Sequence, residues 1–215
     1  PSPWLNMDIG AVNAAGSAGY TNGTYTLKGA GTIWYGADAF NFAYQPISGD
    51  GTIIARVASL TATNDSAKVG VMIRESLNAD ARHVMVKLTP KNGVILQQRL
   101  ITGQYASNVG SATANKTAPY WVKLTRAGNL FTAHHSPDGV TWTMLASTTI
   151  NMAANAYVGL ALASGDNTKL ANSTFDKVSV NNNSVGTGLL PSPWLNMDIG
   201  AVNAAGSAGY TNGTY

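Results

Sequence analysis

The first twenty-five residues of this 215-residue chain occur twice. Residues 1–25 have the sequence PSPWLNMDIGAVNAAGSAGYTNGTY, and residues 191–215 repeat it letter for letter, 190 positions later. Identity at every position indicates duplication at a fixed spacing, which is the sequence signature of a repeat protein. We therefore predict a module over residues 1–180, a linker over residues 181–190 and, from residue 191, the start of a second identical module.

The second copy is too small to fold by itself. Ordering the backbone of one residue costs about 1–2 kcal/mol, whereas burying a large apolar side chain contributes roughly 1.5–3 kcal/mol. We expect the copy to continue a tandem array or, in the other arrangement, to add its strands to a neighbouring molecule. Either arrangement makes the chain its own partner. The side chains predicted to form this contact are Trp194, Leu195, Ile199, Val202, Tyr210 and Tyr215.

Short runs of β-branched and aromatic residues alternate with turn residues throughout the first module. Asn22-Gly23 is a hairpin signal, because both residue types accept the positive φ of a tight turn. Phe40, Phe42 and Tyr44 alternate with small or polar residues, so we expect one face of this strand to pack on a core and the other to lie near solvent. About a dozen such runs, with almost no helical periodicity, predict an all-β fold: an antiparallel two-sheet β-sandwich.

Composition narrows the function classes. Only 11% of the residues are charged, against about 25% in an average soluble protein, which is typical of secreted β proteins. The absence of cysteine excludes a disulfide framework and a thiolate metal site. Lysine and arginine are scattered, which argues against a nucleic-acid partner. No apolar run approaches the ~18 residues of a membrane span, so we expect no membrane insertion and an extracellular or cell-surface location.

The acidic residues do not form a recognisable catalytic set. Glu75 is the only glutamate, and many aspartates stand in glycine-rich turns such as Asp50-Gly51, where the side chain caps its own backbone. Glycoside hydrolysis normally uses two carboxylates that face each other across the sugar. His134 and His135 are adjacent, so in a strand they point to opposite faces and do not share a metal. We expect no enzymatic activity.

Two kinds of ligand site remain open. Trp34 and Tyr35 stand beside glycines in a predicted loop, and Tyr105 lies in a long polar stretch; exposed aromatic rings of this kind stack on sugars. Trp121 and Trp142 we assign to the core, since both fall in predicted strands. Calcium is the candidate metal, because β-sandwich modules bind it through aspartate and backbone oxygens.

Asp8 and Asp176 are the candidate calcium ligands, on the expectation that the first and last strands are neighbours. Capping or solvated aspartates are the alternative interpretation. No cofactor is otherwise required by any motif in the sequence.

Six segments together span nearly all of residues 1–180 and carry a family resemblance. They resemble the concanavalin-A-like lectin/glucanase jelly-roll modules of large secreted bacterial proteins, which implies a jelly roll and a function among lectins, glucanases and spacers. The acidic motif of the glucanase members is missing here. The segments are PWLNMDIG (3–10), DAFNFAYQPISGDGTIIARV (38–57), KVGVMIRES (68–76), APYWVKLTRAGNLFTA (118–133), SPDGVTW (136–142) and FDKVSV (175–180).

Two functions follow as alternatives. The perfect repeat favours a non-catalytic structural module of an extracellular fibre, stalk or adhesin that polymerises through tandem repeats or strand exchange. The family resemblance and the loop aromatics favour a carbohydrate-binding module with a polysaccharide partner. Binding of glycans by a soluble repeat distinguishes the second from the first.

Overall fold

The computed structural model of the protein describes residues 1–183, which form fourteen strands and no helix. Residues 1–183 contain no helix that is long and apolar enough to cross a membrane. The strands are β1 (Leu5–Ile9), β2 (Ser17–Thr21), β3 (Thr24–Gly29), β4 (Phe40–Ser48), β5 (Asp50–Thr61), β6 (Lys68–Arg74), β7 (His83–Thr89), β8 (Gly93–Arg99), β9 (Ser107–Thr113), β10 (Tyr120–Ala127), β11 (Leu130–Ser136), β12 (Thr143–Thr149), β13 (Asn155–Ala163) and β14 (Ala171–Asn183).

The strands form two seven-stranded sheets that pack face to face. The front sheet has the order β1-β4-β13-β6-β7-β8-β9, and the back sheet has the order β12-β11-β10-β5-β14-β3-β2. Every pair of neighbouring strands is antiparallel. The predicted antiparallel two-sheet β-sandwich is therefore confirmed, and the stretch that precedes β10 contributes the edge strand β9.

The main core lies between the two sheets. β5 and β10 alternate between buried and half-buried residues along almost their whole length, because successive side chains of a strand point to opposite faces. Ile53 and Val57 of β5 and Leu124 of β10 are fully buried on the inner face. The other faces of these back-sheet strands remain partly accessible to solvent.

A second, smaller core covers the outer face of the front sheet. Every residue of β6 and β7 is buried, which requires cover on both faces. Phe40, Phe42 and Tyr44 belong to this second cluster together with Ile33, whereas Ala43 between them faces the main core. The expectation that one face of β4 lies near solvent was wrong. The face of Ala43, expected near solvent, meets the main core, and the β3–β4 loop brings Ile33 onto the aromatic face, so both faces are covered.

The first copy of the duplicated segment supplies one edge strand to each sheet. It contains β1, at the edge of the front sheet, and β2, at the edge of the back sheet, and it runs into β3. β14 continues through Asn183, which pairs with Asp50 of β5. The first three residues of the predicted linker, 181–183, are therefore part of this strand. The second copy lies outside the described residues, and with it the predicted contacts of Trp194, Leu195, Ile199, Val202, Tyr210 and Tyr215.

Candidate functional site

An open cleft of about 370 Å³ lies on the outer side of the front sheet. Its walls come from the β3–β4 loop (residues 30–39), which contributes Trp34 and Tyr35, and from the strands β6, β7 and β9 beneath it. Lys68 and Lys87 rise from β6 and β7, and Asn108 from β9. Aromatic, cationic and amide side chains thus share one concave surface.

Trp34 is flanked by two ammonium groups. The Nζ atoms of Lys68 and Lys87 lie 5.9 Å and 5.3 Å from the centroid of the indole ring, within the range of a cation–π interaction. Trp34 is half-buried, whereas Lys68 and Lys87 are only 7% and 3% exposed. The indole and both lysines therefore form one packed group at the bottom of the cleft.

Neutral oxygens are the hydrogen-bond partners of both lysines. Lys87 Nζ donates to Gln97 Oε1 at 2.5 Å and to Asn108 Oδ1 at 3.0 Å, and Lys68 Nζ donates to Thr32 Oγ1 at 3.4 Å. Burial, and then the charge of Lys68, lower the pKa of Lys87 to about 7. Burial also lowers the pKa of Lys68, although the negative charge of Asp38 opposes that shift.

Tyr35 and Tyr105 extend the aromatic surface to the rim of the cleft. Their rings meet edge to face with centroids 5.6 Å apart, and the two side chains are 56% and 69% exposed. Ala106 N donates to Trp34 O at 2.8 Å, which holds the loop of Tyr105 against the β3–β4 loop. The structure thus brings the three predicted sugar-stacking residues together, with Tyr105 standing just beyond the cleft wall.

A buried ion pair fixes the loops that carry these aromatic residues. Arg99 Nη2 and Nη1 donate to Asp38 Oδ1 and Oδ2 at 2.6 Å and 2.8 Å. Arg99 also donates to the backbone oxygens of Tyr35 at 2.5 Å, Gln104 at 2.8 Å and Ala79 at 3.1 Å. One guanidinium therefore connects three loops, and a charge-assisted network of this kind holds its members rigidly.

Arg74 and His83 complete the network behind the cleft. Arg74 Nη1 lies 3.5 Å from Asp38 Oδ2, and His83 Nδ1 lies 3.6 Å from the same oxygen. Burial lowers the pKa of Arg74 to about 10, so the guanidinium is charged at neutral pH. Burial and the nearby arginines hold the pKa of His83 well below its usual value, so the imidazole is neutral.

The sequence analysis did not identify the lysines of the cleft. A usable signal exists in β7, where Val84, Val86 and Leu88 face the main core, so that Lys87 must point to the opposite face. A lysine within an apolar strand, directed away from the main core, is a candidate for a functional group. The contact of Lys87 with Trp34 depends on the loop that folds over β7, and nothing local in the sequence predicts that.

Asp8 and Asp176, the candidate calcium ligands, lie on different sheets. Asp8 accepts hydrogen bonds from Gly16 N at 2.8 Å and from Asn41 Nδ2 at 2.9 Å. Asp176 pairs with Arg56 at 2.8 Å. The expectation that the first and last strands are neighbours was wrong, because β1 pairs with β4 and β14 pairs with β3 and β5. In residues 1–183 no group of three or more acidic or histidine side chains could hold a metal ion.

Trp121 and Trp142 do not belong to either core cluster. Both are half-buried, and Trp121 follows the inward-facing Tyr120, so it points to the outer face of the back sheet. The two rings meet edge to face at 6.4 Å, and Lys123 Nζ lies 4.3 Å from the centroid of Trp142. The assignment of both tryptophans to the core was wrong. Trp121 lies on the outer face of its strand, which strand membership alone does not reveal, and Trp142 precedes β12 and is not part of a strand.

No protein family matches the chain by sequence pattern, and no curated protein matches it. Solved structures do match. A functionally unknown protein from Saccharomyces cerevisiae has 16% identity and a TM-score of 0.63 over 83% of this chain and 95% of its own. Carbohydrate binding module CBM66 from Bacillus subtilis has 14% identity and a TM-score of 0.55 over 82% and 94%.

A variant of LamA from Zobellia galactanivorans, in complex with laminaritriose and laminaritetraose, has 11% identity and a TM-score of 0.53 over 84% of this chain and 92% of its own. Identities this low establish a shared fold and nothing finer. They confirm the jelly-roll fold that the sequence predicts. The chain is thus an antiparallel two-sheet β-sandwich whose fold is similar to those of the carbohydrate binding module and of LamA.

Proposed function

We propose that this protein is a non-catalytic carbohydrate-binding module and that the Trp34 cleft is its binding site. The observation that carries the proposal is a half-buried indole in an open cleft, surrounded by hydrogen-bonding side chains. Sugars are bound by this combination, because the apolar face of the ring stacks on an aromatic side chain while its hydroxyls take directed hydrogen bonds. The fold shared with a carbohydrate-binding module supports the same conclusion.

The hydrogen bonds that hold the loops around the cleft suit a preorganised binding site. Arg99 ties the backbone of Tyr35 to the loops on either side, so the aromatic surface is held before a ligand arrives. Binding to a rigid surface avoids the cost of ordering loops, which is about 0.5–1.5 kcal/mol for each immobilised flexible side chain. Lys68, Lys87 and Asn108 are then the groups that bind the polar side of the sugar.

The positions of the carboxylates support a binding role without hydrolysis. Of the acidic residues in the described range, Asp65 is the one that lines the cleft. Glu75 Oε1 instead accepts a hydrogen bond from Ala153 N at 3.1 Å and lies 3.6 Å from Arg82. A glycosidase needs a pair of carboxylates about 5–10 Å apart across the sugar, and we propose that this cleft binds its ligand unchanged and outside the cell.

A glycan array probed with the full chain tests the proposal. We expect a defined set of saccharides to bind, and we expect Trp34→Ala to weaken binding about tenfold or more, since burying a large aromatic side chain contributes about 1.5–3 kcal/mol. Trp142→Ala removes a tryptophan from the other sheet and is the matched control, which should bind as the wild type does. An array without any hit, or equal loss in both variants, would contradict the proposal.

Assembly is a second proposed function, favoured by the position of the duplicated segment. The first copy forms β1 and β2, the outermost strand of each sheet. Edge strands expose unpaired backbone groups and accept pairing from another chain. We propose that the second copy, being identical in sequence, replaces the first copy at these edge positions in a neighbouring module and so builds a serial polymer that displays one cleft per module.

Sedimentation of the full chain and of a chain ending at residue 190 tests this second function. The full chain should form concentration-dependent oligomers and the shortened chain should be a monomer with unchanged circular dichroism. Monomers in both cases would rule out assembly through the second copy and leave the carbohydrate site unaffected.

A further inference from the structure

Buried positive charge exceeds buried negative charge around the cleft. Lys68, Arg74, Lys87 and Arg99 are all less than a tenth exposed, and Asp38 is the one buried carboxylate in residues 1–183. Charged side chains are almost never fully buried unless an opposite charge accompanies them. The imbalance therefore needs an explanation at this place in the fold.

The two arginines have a carboxylate partner, whereas the two lysines have none among the described residues. Arg74 and Arg99 share Asp38 and bind backbone oxygens. Lys68 and Lys87 have no carboxylate within 4.0 Å among the described residues, and their contacts are an alcohol and two amide oxygens. Neutral acceptors do not replace the solvation of a buried ammonium, which loses several kcal/mol on leaving water.

An anion can reach both ammonium groups from the cleft. Lys68 and Lys87 line it directly, and so does Lys91. Asp65 is the one acidic residue of the lining in the described part of the chain; it is exposed, and it lies beyond ion-pair distance of both buried lysines. With Lys87 protonated, three cations against one anion give the cleft a positive potential, which favours an anionic ligand.

We infer that the saccharide bound here is acidic, with its anionic group between Lys68 and Lys87 and its ring against Trp34. Both ammonium groups lie within 6 Å of the same indole centroid, so one sugar residue is large enough to meet all three side chains. The anion is the carboxylate of a uronic acid or the sulfate ester of a sulfated sugar. This inference rests on the proposed carbohydrate-binding function and adds the class of ligand to it.

An acidic ligand also gives the binding a defined pH dependence. The pKa of Lys87 is lowered to about 7 by burial and by the charge of Lys68, and a bound anion shifts it upwards by favouring the charged form. Protonation of Lys87 and binding of the anion therefore assist each other. Asp38 behind Lys68 and Asp65 at the rim are the acidic groups facing the pair.

Calorimetric titration of the full chain tests the inference. The probes are trigalacturonate and a sulfated galactose trisaccharide, each paired with its neutral counterpart, the methyl ester and the desulfated sugar. We expect at least one acidic probe to bind about tenfold or more tightly than its neutral counterpart, since a hydrogen bond to a charged group is stronger than one between neutral groups. The probe that shows this preference identifies the anion as carboxylate or sulfate.

Lys87→Met and Lys68→Met replace lysine by an unbranched side chain that is one atom shorter and carries no charge. Each should lower the affinity for the acidic probe by about tenfold or more and the affinity for the neutral counterpart by clearly less, because a charged contact is lost in the first case and a neutral hydrogen bond in the second, so that the preference for the acidic probe disappears. Lys169→Met removes an exposed lysine away from the cleft and should retain the preference. Nitrogen-15 NMR of the lysine side chains supplies a second measurement, in which the acidic probe should raise the pKa of Lys87.

The outcomes separate the inference from the function beneath it. Neutral glycans that bind through Trp34 as tightly as acidic ones would overturn the inference and leave the carbohydrate-binding function standing. Acidic preference that survives both methionine variants would overturn the inference as well. The absence of any saccharide binding would overturn both.

Discussion

Arg99 and Asp38 form a two-point ion pair, with N–O distances of 2.6 Å and 2.8 Å, at a place where both side chains are fully shielded from solvent. The two residues are 61 positions apart, and the pair joins the β3–β4 loop to the end of β8. The remaining hydrogens of Arg99 bind backbone oxygens of neighbouring loops. The candidate binding surface thus depends on one buried charge pair for its shape.

Replacing Arg99 by methionine should destabilise the fold severely. The change leaves Asp38 with a buried charge and only the longer contact to Arg74, and breaking a buried pair in this way costs about 3–5 kcal/mol. Lys169→Met, which disrupts an exposed ion pair with Asp166, should cost less than about 1 kcal/mol. Urea unfolding of the three proteins measures both effects, and equal unfolding free energies for the two variants would contradict this description of the network.

Lys87 should make the stability depend on pH above neutrality. Its pKa is about 7 in the folded protein, against 10.5 as the ordinary value, so between these limits the unfolded chain binds a proton that the folded protein has lost. Within that window the free energy of unfolding attributable to Lys87 rises with pH, by up to about 1.4 kcal/mol per pH unit. Below pH 7 this dependence disappears and the destabilisation is complete.

The measurement is the difference in unfolding free energy between the wild type and Lys87→Met, taken from about pH 6 to about pH 9. The wild type should gain on the variant as the pH rises. A difference that stays constant across the range would show that Lys87 keeps an ordinary pKa.

Gly31 should be the most sensitive glycine of the loop that bears Trp34. It has a φ of +86°, and a Cβ there would lie 2.2 Å from the backbone oxygen of Ala39. Gly49 has a similar φ of +74° but open space around the Cβ position, which makes it a matched control. Gly49→Ala should cost about 1–3 kcal/mol for the strained backbone, and Gly31→Ala should cost clearly more in thermal or urea unfolding.

Saccharide binding should not require calcium. Both carboxylate oxygens of Asp8 accept protein hydrogen bonds, one oxygen of Asp176 is paired with Arg56, and the two aspartates lie on different sheets, so they do not form a joint cation site. We expect the same affinity in a chelator as in millimolar calcium. An affinity that falls in the chelator and returns with added calcium would restore these aspartates as candidate ligands.

Local features of the fold were readable from the sequence because they depend on neighbouring residues. Asn22 and Gly23 have φ values of 49° and 84°, which is the geometry that the dipeptide predicts for a tight hairpin. Phe40, Phe42 and Tyr44 share one face as their alternation requires. The alternation does not reveal what that face packs against. In this strand the aromatic face packs into the second core.

The candidate site was only half predictable. Trp34, Tyr35 and Tyr105 could be chosen because aromatic residues among glycines and polar residues tend to be exposed. Their partners could not, since Lys87 reaches Trp34 from a strand more than fifty positions away along the chain. Distances of that kind are set by sheet order and loop packing, which no local pattern contains.

The indole resonances of the full chain provide the most direct measurement of the central claim. Proton–nitrogen NMR reports the indole N–H of each tryptophan separately, and the saccharide with the strongest array signal would be titrated in. Binding in the cleft should move the Trp34 resonance and leave those of Trp121 and Trp142 in place, with the shift of Trp34 saturating at the affinity measured by calorimetry. A titration that moves Trp121 or Trp142 and leaves Trp34 unchanged would contradict the assignment of the cleft as the binding site.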